Sequence, residues 1–263
     1  MNKIRILAVL CATNLTAFSQ ETERETDALV ADRPDATEAS STVGKSVLQL
    51  ETGGLYESFE TNNIQSENYT YNTMLIRYGI LDNIELRLGW NFIEGVTKIN
   101  GNKLNAVSSG FSPLLLGVKI AITEEKGAIP EMALLLHTTH PFFASYDNKS
   151  TSTGTDFRFS FSHTLSENSS LGYNLGMAWD GDSTTASYIY TLSYGYSLSN
   201  KIGAFAELYG DLPEGTNFNH YWDAGLTYLV SNDFQLDAYF GTSITEGQDL
   251  LLGLGLSYRI RKK

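Results

Sequence analysis

From Asp249 to Ile260 the chain reads DLLLGLGLSYRI, with a large apolar side chain at every second position from Leu250: Leu250, Leu252, Leu254, Leu256, Tyr258 and Ile260. Past Leu251, the positions between them are small or polar: Gly253, Gly255, Ser257 and Arg259. A period of two is strand geometry, so the segment predicts a β-strand with one greasy face and one face of small or wet groups. Similar strand-like runs recur along the chain, and what lies against the greasy face decides the fold.

Twelve such runs are predicted, near 46–60, 67–80, 84–96, 109–123, 129–140, 154–165, 169–180, 186–198, 201–211, 219–230, 233–243 and 249–260. An even number lets a sheet close with both chain ends on one side. Connections after the even runs are tight, as at Leu81-Asp82-Asn83 and Ser199-Asn200. Those after the odd runs tend to be longer and polar, with loops expected over 98–108, 141–153 and 212–218. Short turns on one side and long loops on the other is the pattern of transmembrane barrels.

The faces sort in the same sense. Run three puts Ile84, Leu86, Leu88, Trp90 and Phe92 on one side, with Glu85, Arg87, Gly89 and Asn91 on the other. In a barrel of about eight strands an apolar face can fill the interior. Twelve strands enclose too wide a space for that, so the apolar face is expected against lipid and the charged face in the lumen. The fold class is therefore all-β: a closed antiparallel transmembrane β-barrel of about 12 strands with short periplasmic turns and longer extracellular loops. Tyrosine and phenylalanine, 15 and 13 in 263 residues, with 23 glycines, suit such strands and turns. No apolar stretch approaches the roughly 20 residues of a membrane-spanning helix.

Residues 1–19 have the form of an export signal: Lys3 and Arg5, an apolar core from Ile4 to Leu15, and Ala17-Phe18-Ser19 before Gln20. Cys11 lies in the apolar core, so the mature chain is expected to hold no cysteine and to need no disulfide. Losing Lys3 and Arg5 takes the formal net charge from -12 to about -14, which excludes nucleic acid as an expected partner. Residues 20–45 are acidic and aperiodic and read as a periplasmic leader, docked near Asp32-Arg33-Pro34-Asp35. The expected organisation is thus signal peptide 1–19, leader 20–45, barrel 46–260 and basic tail 261–263.

By face parity Glu51, Arg77, Glu85, Arg87, Lys119, Asp156, Arg158, Glu207, Asp223, Asp237 and Arg259 are expected in the lumen. They serve either as a stiffening network or as a surface for a polar group of a solute. Arg77, Glu85 and Arg87 flank one tight turn and are expected to pair near the periplasmic mouth. Trp90, Trp179 and Trp222 fall at the long-loop end, and Tyr78, Tyr228 and Tyr258 at the short-turn end, as two interfacial girdles.

Asp32-Arg33-Pro34-Asp35-Ala36-Thr37-Glu38, followed by Gly44 and Leu48-Gln49-Leu50-Glu51, resembles the opening of the transporter family named for the meta pathway of phenol degradation. Further matches follow in order at Tyr78-Gly79-Ile80, Asn83-Ile84-Glu85-Leu86-Arg87, Gly110-Phe111-Ser112, Leu116-Gly117-Val118-Lys119 and Tyr173-Asn174-Leu175-Gly176. Phe205-Ala206-Glu207-Leu208, Gly225-Leu226-Thr227-Tyr228 and Gln235-Leu236-Asp237-Ala238 complete the set, over about residues 32–260. The resemblance implies an outer-membrane barrel passing small, hydrophobic or aromatic molecules. Pro113 departs from it, standing where the family usually has an aspartate. So does the tail after Ile260, where barrels commonly end on an aromatic residue read by the insertion machinery.

Catalytic chemistry is not expected. His137-Thr138-Thr139-His140 has no serine or asparagine immediately after the histidine, unlike the outer-membrane phospholipase pattern, and His163 and His220 lie near turns. His137 and His140 are three apart, so on a strand they face opposite ways and cannot share a metal. Asp180-Gly181-Asp182 lacks the further acids of a calcium loop. The expected function is a passive channel, without cofactor, metal or covalent chemistry, whose partners are outer-membrane lipid, the insertion machinery and an unidentified small solute. A closed structural or adhesive barrel with a salt-bridged lumen is the alternative, and Asp32 to Glu38 is expected to plug the periplasmic mouth.

Overall fold

The computed structural model describes residues 27–245 and 247–261. The expected signal peptide, the first part of the leader, and Lys262 and Lys263 of the tail lie outside these residues.

The alternating runs form twelve strands. They are β1 (Val47–Thr61), β2 (Ile64–Asn72 and Leu75–Leu81), β3 (Ile84–Gly89 and Phe92–Ile99), β4 (Asn102–Phe111 and Leu114–Thr123), β5 (Glu131–His140) and β6 (Gly154–Ser166). The second half comprises β7 (Ser169–Trp179), β8 (Ser187–Ser197), β9 (Ile202–Pro213), β10 (Asn219–Ser231), β11 (Phe234–Ser243) and β12 (Gln248–Arg261). Each pairs antiparallel with its neighbours in sequence. β12 then pairs antiparallel with β1, from Val47 opposite Arg261 to Phe59 opposite Gln248, and the barrel closes. Closure pairs the strands all round at the level of the β1–β12 seam, which a hydrocarbon environment requires because no water is there to satisfy free N–H and C=O groups. Asn102–Phe111, the outer part of β4, has only β3 as a strand partner among the described residues and is largely exposed.

The two faces separate as the alternation predicts. Leu252, Leu254, Tyr258 and Ile260 on β12 point outward, Leu254 with 67% of its surface exposed. Tyr78 and Tyr228 are also exposed on the outer face. Inside, the charged groups are buried: Glu51, Arg77, Glu85 and Lys119 are 0% exposed.

One loop expectation is corrected. The polar stretch 98–108 is not a loop: β3 and β4 run on through it and meet at Asn100-Gly101. Both residues have positive φ, 49° and 77°, the backbone a tight hairpin turn needs and Asn-Gly readily supplies. Asn62-Asn63, with φ of 51° and 62°, turns β1 into β2 in the same way. Polarity there marks strands exposed on both faces rather than the absence of strand. Trp90 consequently lies near the middle of β3 rather than close to a loop, its Nε1 donating to the Ser112 carbonyl at 3.0 Å and its ring stacked on Phe111. Trp179 ends β7, and Trp222 sits early in β10 against Phe240; all three are half-buried.

β2, β3 and β4 are each interrupted at one level, at Thr73-Met74, Trp90-Asn91 and Ser112-Pro113. Pro113 has no N–H to give the ladder. Side chains bridge the break: Asn91 Oδ1 accepts from the Met74 N–H at 3.2 Å, and Ser112 Oγ from the Asn91 N–H at 3.1 Å. At the end of the barrel opposite the chain termini, segment 141–153 folds onto the inner side of β4. The Ser145 N–H donates to the Phe111 carbonyl at 3.0 Å, and the Phe111 N–H to Ser145 Oγ at 2.9 Å.

Candidate functional site

The leader enters the lumen and crosses it. Asp32 meets three cations from three successive strands. Its carboxylate lies 3.3 Å from Arg77 Nε on β2, 2.5 Å from Arg87 Nη1 on β3 and 2.8 Å from Lys119 Nζ on β4. Glu51 and Glu85 complete the cluster, each 2.9 Å from Arg77. Arg87 also pairs with Glu85 at 2.9 Å and with Glu38 of the leader at 2.7 Å. Buried charges at this density are stable only because each has partners. Removing one member strands the others in low dielectric, at a cost of about 3–5 kcal/mol.

From there the segment turns across the barrel. Its bend is held by the Ala39 N–H donating to Asp32 Oδ1 at 2.9 Å. At the tip, the Ala36 N–H donates to Glu207 of β9 at 2.7 Å, and Thr37 Oγ1 donates to Glu207 and contacts Thr191 Oγ1 of β8. Ser193 Oγ donates to Asp35 at 2.6 Å. Asn174 of β7 accepts from the Glu38 N–H at 2.7 Å and donates to the Glu38 carbonyl at 3.0 Å. Arg33 reaches the other way, to Asp237 of β11 at 2.9 Å and to Thr73 of β2 at 2.9 Å. Gly53 and Gly255 are register partners on β1 and β12, and a Cβ at either would collide with the Arg33 guanidinium. Two strand glycines therefore make the groove in which this side chain lies.

Cavities lie on both sides of the leader. One, of about 520 Å³, is bounded by Arg33 and Glu38 beneath and by Met74, Leu75, Leu115, Pro113, Ala178 and Trp179 around it. The other, of about 530 Å³, opens toward the end carrying the chain termini. Its walls are hydroxyls and glycines, among them Ser162, Thr164, Ser170, Ser197, Gly172, Gly195 and Gly203.

Of the lumen residues predicted from parity, Glu51, Arg77, Glu85, Arg87 and Lys119 form one cluster around Asp32. Glu207 and Asp223 are direct register partners on β9 and β10, and Asp237 holds Arg33. Arg158 stands apart, half-buried, 3.5 Å from Asp156, which also meets His137 at 3.3 Å. Arg259 sits at the rim rather than deep in the lumen, bound to Asp233 at 2.7 Å and to the Asp27 carbonyl. Asp35 and Glu38 belong to the docking motif expected from the sequence, which does not indicate these pairings. The lumen tyrosines Tyr209, Tyr221 and Tyr239 are not among the residues expected from the sequence, although each shares the parity of an acid two residues away. The remaining histidine side chains contact Thr138, Tyr173 and Tyr190, so among the described residues none is paired with a serine. Among the described residues, no group of three or more His, Cys, Asp or Glu is arranged to hold a metal ion.

The family described as "Putative MetA-pathway of phenol degradation" matches residues 31–260. The chain belongs to this family. The match begins at Ala31, inside the leader, so the family pattern includes the segment that crosses the lumen as well as the strands around it. Among solved structures, the chain is similar to the COG4313 outer membrane channel from Pseudomonas putida F1. The TM-score is 0.65 and the identity 13%, over 88% of this chain and 100% of that one. It is also similar to the translocator domain of the autotransporter NalP from Neisseria meningitidis, with TM-score 0.52 and 12% identity over 82% and 89% of the two chains. The NanC porin gives TM-score 0.52 and 9% identity, over 80% of this chain and 100% of that one. At these identities the likeness is one of fold. No curated protein is significantly similar in sequence.

Proposed function

We propose that the protein is an outer-membrane channel for small molecules with an apolar part, held closed in this state by its own leader. The carrying observation is the pair of cavities, about 520 and 530 Å³, separated by residues 32–38. Each is of the size of a small-ligand site. The segment between them is not part of any strand and is held by ion pairs, hydrogen bonds and the packing of Pro34 and Thr37, so its withdrawal would join the two without unfolding a strand. The apolar lining of the first cavity, with Trp179, Leu115 and Met74, favours hydrophobic or aromatic solutes, in keeping with the family's description. The orientation that suits this reading has the chain termini in the periplasm and the outward leucines and tyrosines in outer-membrane lipid.

A second reading, a structural barrel with a permanently closed lumen, draws on the ionic cluster around Asp32, in which every charged group has a partner. Deleting residues 21–40 separates the two. In planar bilayers and liposome-swelling assays with aromatic and sugar solutes, the channel reading expects larger conductance and faster swelling than for the full chain. Unchanged conductance and selectivity would sink the plug, and no swelling with any solute by either form would sink transport.

A further inference from the structure

Charge inside the barrel is sorted by wall. On the β2–β4 side the cations are all neutralised. Arg77, Arg87 and Lys119 each have a carboxylate within 2.9 Å, and Arg33 has Asp237 at 2.9 Å. On the β8–β10 side, carboxylates gather and no cation among the described residues pairs with them. Glu207 and Asp223 stand directly opposite each other on neighbouring strands, and Asp35 of the leader tip lies beside them. Among the described residues, Glu207 and Asp35 are met by neutral donors, from Ala36, Thr37 and Ser193. Asp223 is 2% exposed, and its Oδ1 has no hydrogen-bond partner among the described residues. Tyr209 and Tyr221, each two residues from one of these acids and on the same face, stack with ring centroids 5.1 Å apart.

Like charges directly opposite across a ladder repel, and a buried carboxylate oxygen without a donor is costly. A positive group between them removes both penalties, and neighbouring aromatic faces add to its attraction. The acids are not set as a metal-coordination shell. A weak, field-based site is what conduction needs, since an ion held too tightly would not leave.

We propose that this wall makes the lumen selective for cations, and that the solute it favours carries a compact positive group, such as an ammonium, on an apolar body. The inference rests on the channel reading and names the charge of what that channel admits. The acidic wall takes the cationic head, and the second cavity, which Asp35 lines together with Ser193 and Phe205, takes the remainder of the solute.

The test uses the full chain in planar bilayers under a KCl gradient. The reversal potential should have the sign of a K⁺-selective pore, with K⁺ favoured over Cl⁻ by about tenfold, the scale on which a charged cleft concentrates counter-ions. Asp223→Asn should lower that ratio. Glu57→Gln should do so too; Glu57, on β1, lies close enough to act electrostatically on Tyr209 and Tyr221 of this wall, accepts from the Gln248 side chain, and keeps the test readable if the first variant fails to fold. In liposomes, 2-phenylethylammonium should enter faster than phenylacetate, and Asp223→Asn should erase the difference. Conductance without cation preference overturns the inference and leaves the channel reading standing. So does a preference that neither variant moves, which would mean that the carboxylates satisfy one another with shared protons. Absence of both conductance and swelling, in the full chain and in the form lacking residues 21–40 alike, overturns the channel reading and this inference with it.

Discussion

Arg33 and Asp237, 204 residues apart in sequence, form a two-pronged ion pair. Nη2 lies 2.9 Å from Oδ1, and Nε 3.2 Å from Oδ2. The pair spans one rung of the barrel. Asp237 on β11, Gly255 on β12 and Gly53 on β1 are successive register partners, and Arg33 lies over both glycines. The two glycines are thus part of how the leader is held, as much as the charges at its end.

Gly255→Val should therefore release Arg33 without touching either charge. The expected result is higher single-channel conductance and faster proteolysis of the leader, with the barrel still showing heat-modifiable migration. Arg33→Ala should give the same phenotype. The double variant should add little to either single one, as a cycle through one shared contact requires.

Asp32→Ala removes the carboxylate that three cations share. Stability should fall by about 3–5 kcal/mol, because Arg77, Arg87 and Lys119 would be left in excess inside the barrel. Urea titration of the folded band on unheated gels measures it. A change under about 1 kcal/mol would show that water reaches these groups and that the cluster is less dry than its burial indicates.

Leu254→Lys places a charge in the middle of the outward face of β12. The expected cost is about 2–4 kcal/mol of barrel stability in a bilayer, falling toward zero near the rims. Insertion and heat-modifiable migration untouched by Leu254→Lys would overturn the lipid-facing assignment of Leu250 to Ile260.

Gly101→Val forces a branched side chain onto a residue with φ of 77°. The hairpin joining β3 and β4 should be strained by about 1–2 kcal/mol. Limited proteolysis should then cut near 99–102 in the variant and spare the parent protein. Equal cutting of both would mean that the hairpin is not formed at this turn in solution.

Alternation alone, as in Leu250 to Ile260, determined the strands, their number and which face of each is greasy, because a period of two is a local property of the backbone. It also placed Glu51, Arg77, Glu85, Arg87, Lys119, Glu207, Asp223 and Asp237 on the inner wall, and the family pattern marked Asp32 to Glu38 as special. What alternation could not carry was distance across the lumen. Nothing local in Asp32 says that it meets Arg77, Arg87 and Lys119 at once, or in Gly255 that its missing side chain is where Arg33 lies. The hairpin at Asn100-Gly101 differs: strands exposed on both faces lose the alternation, and only the Asn-Gly pair marks the turn. Closure of β12 onto β1 decided the contacts across the lumen, since only a closed wall brings residues from β2, β4, β9 and β11 to face one leader.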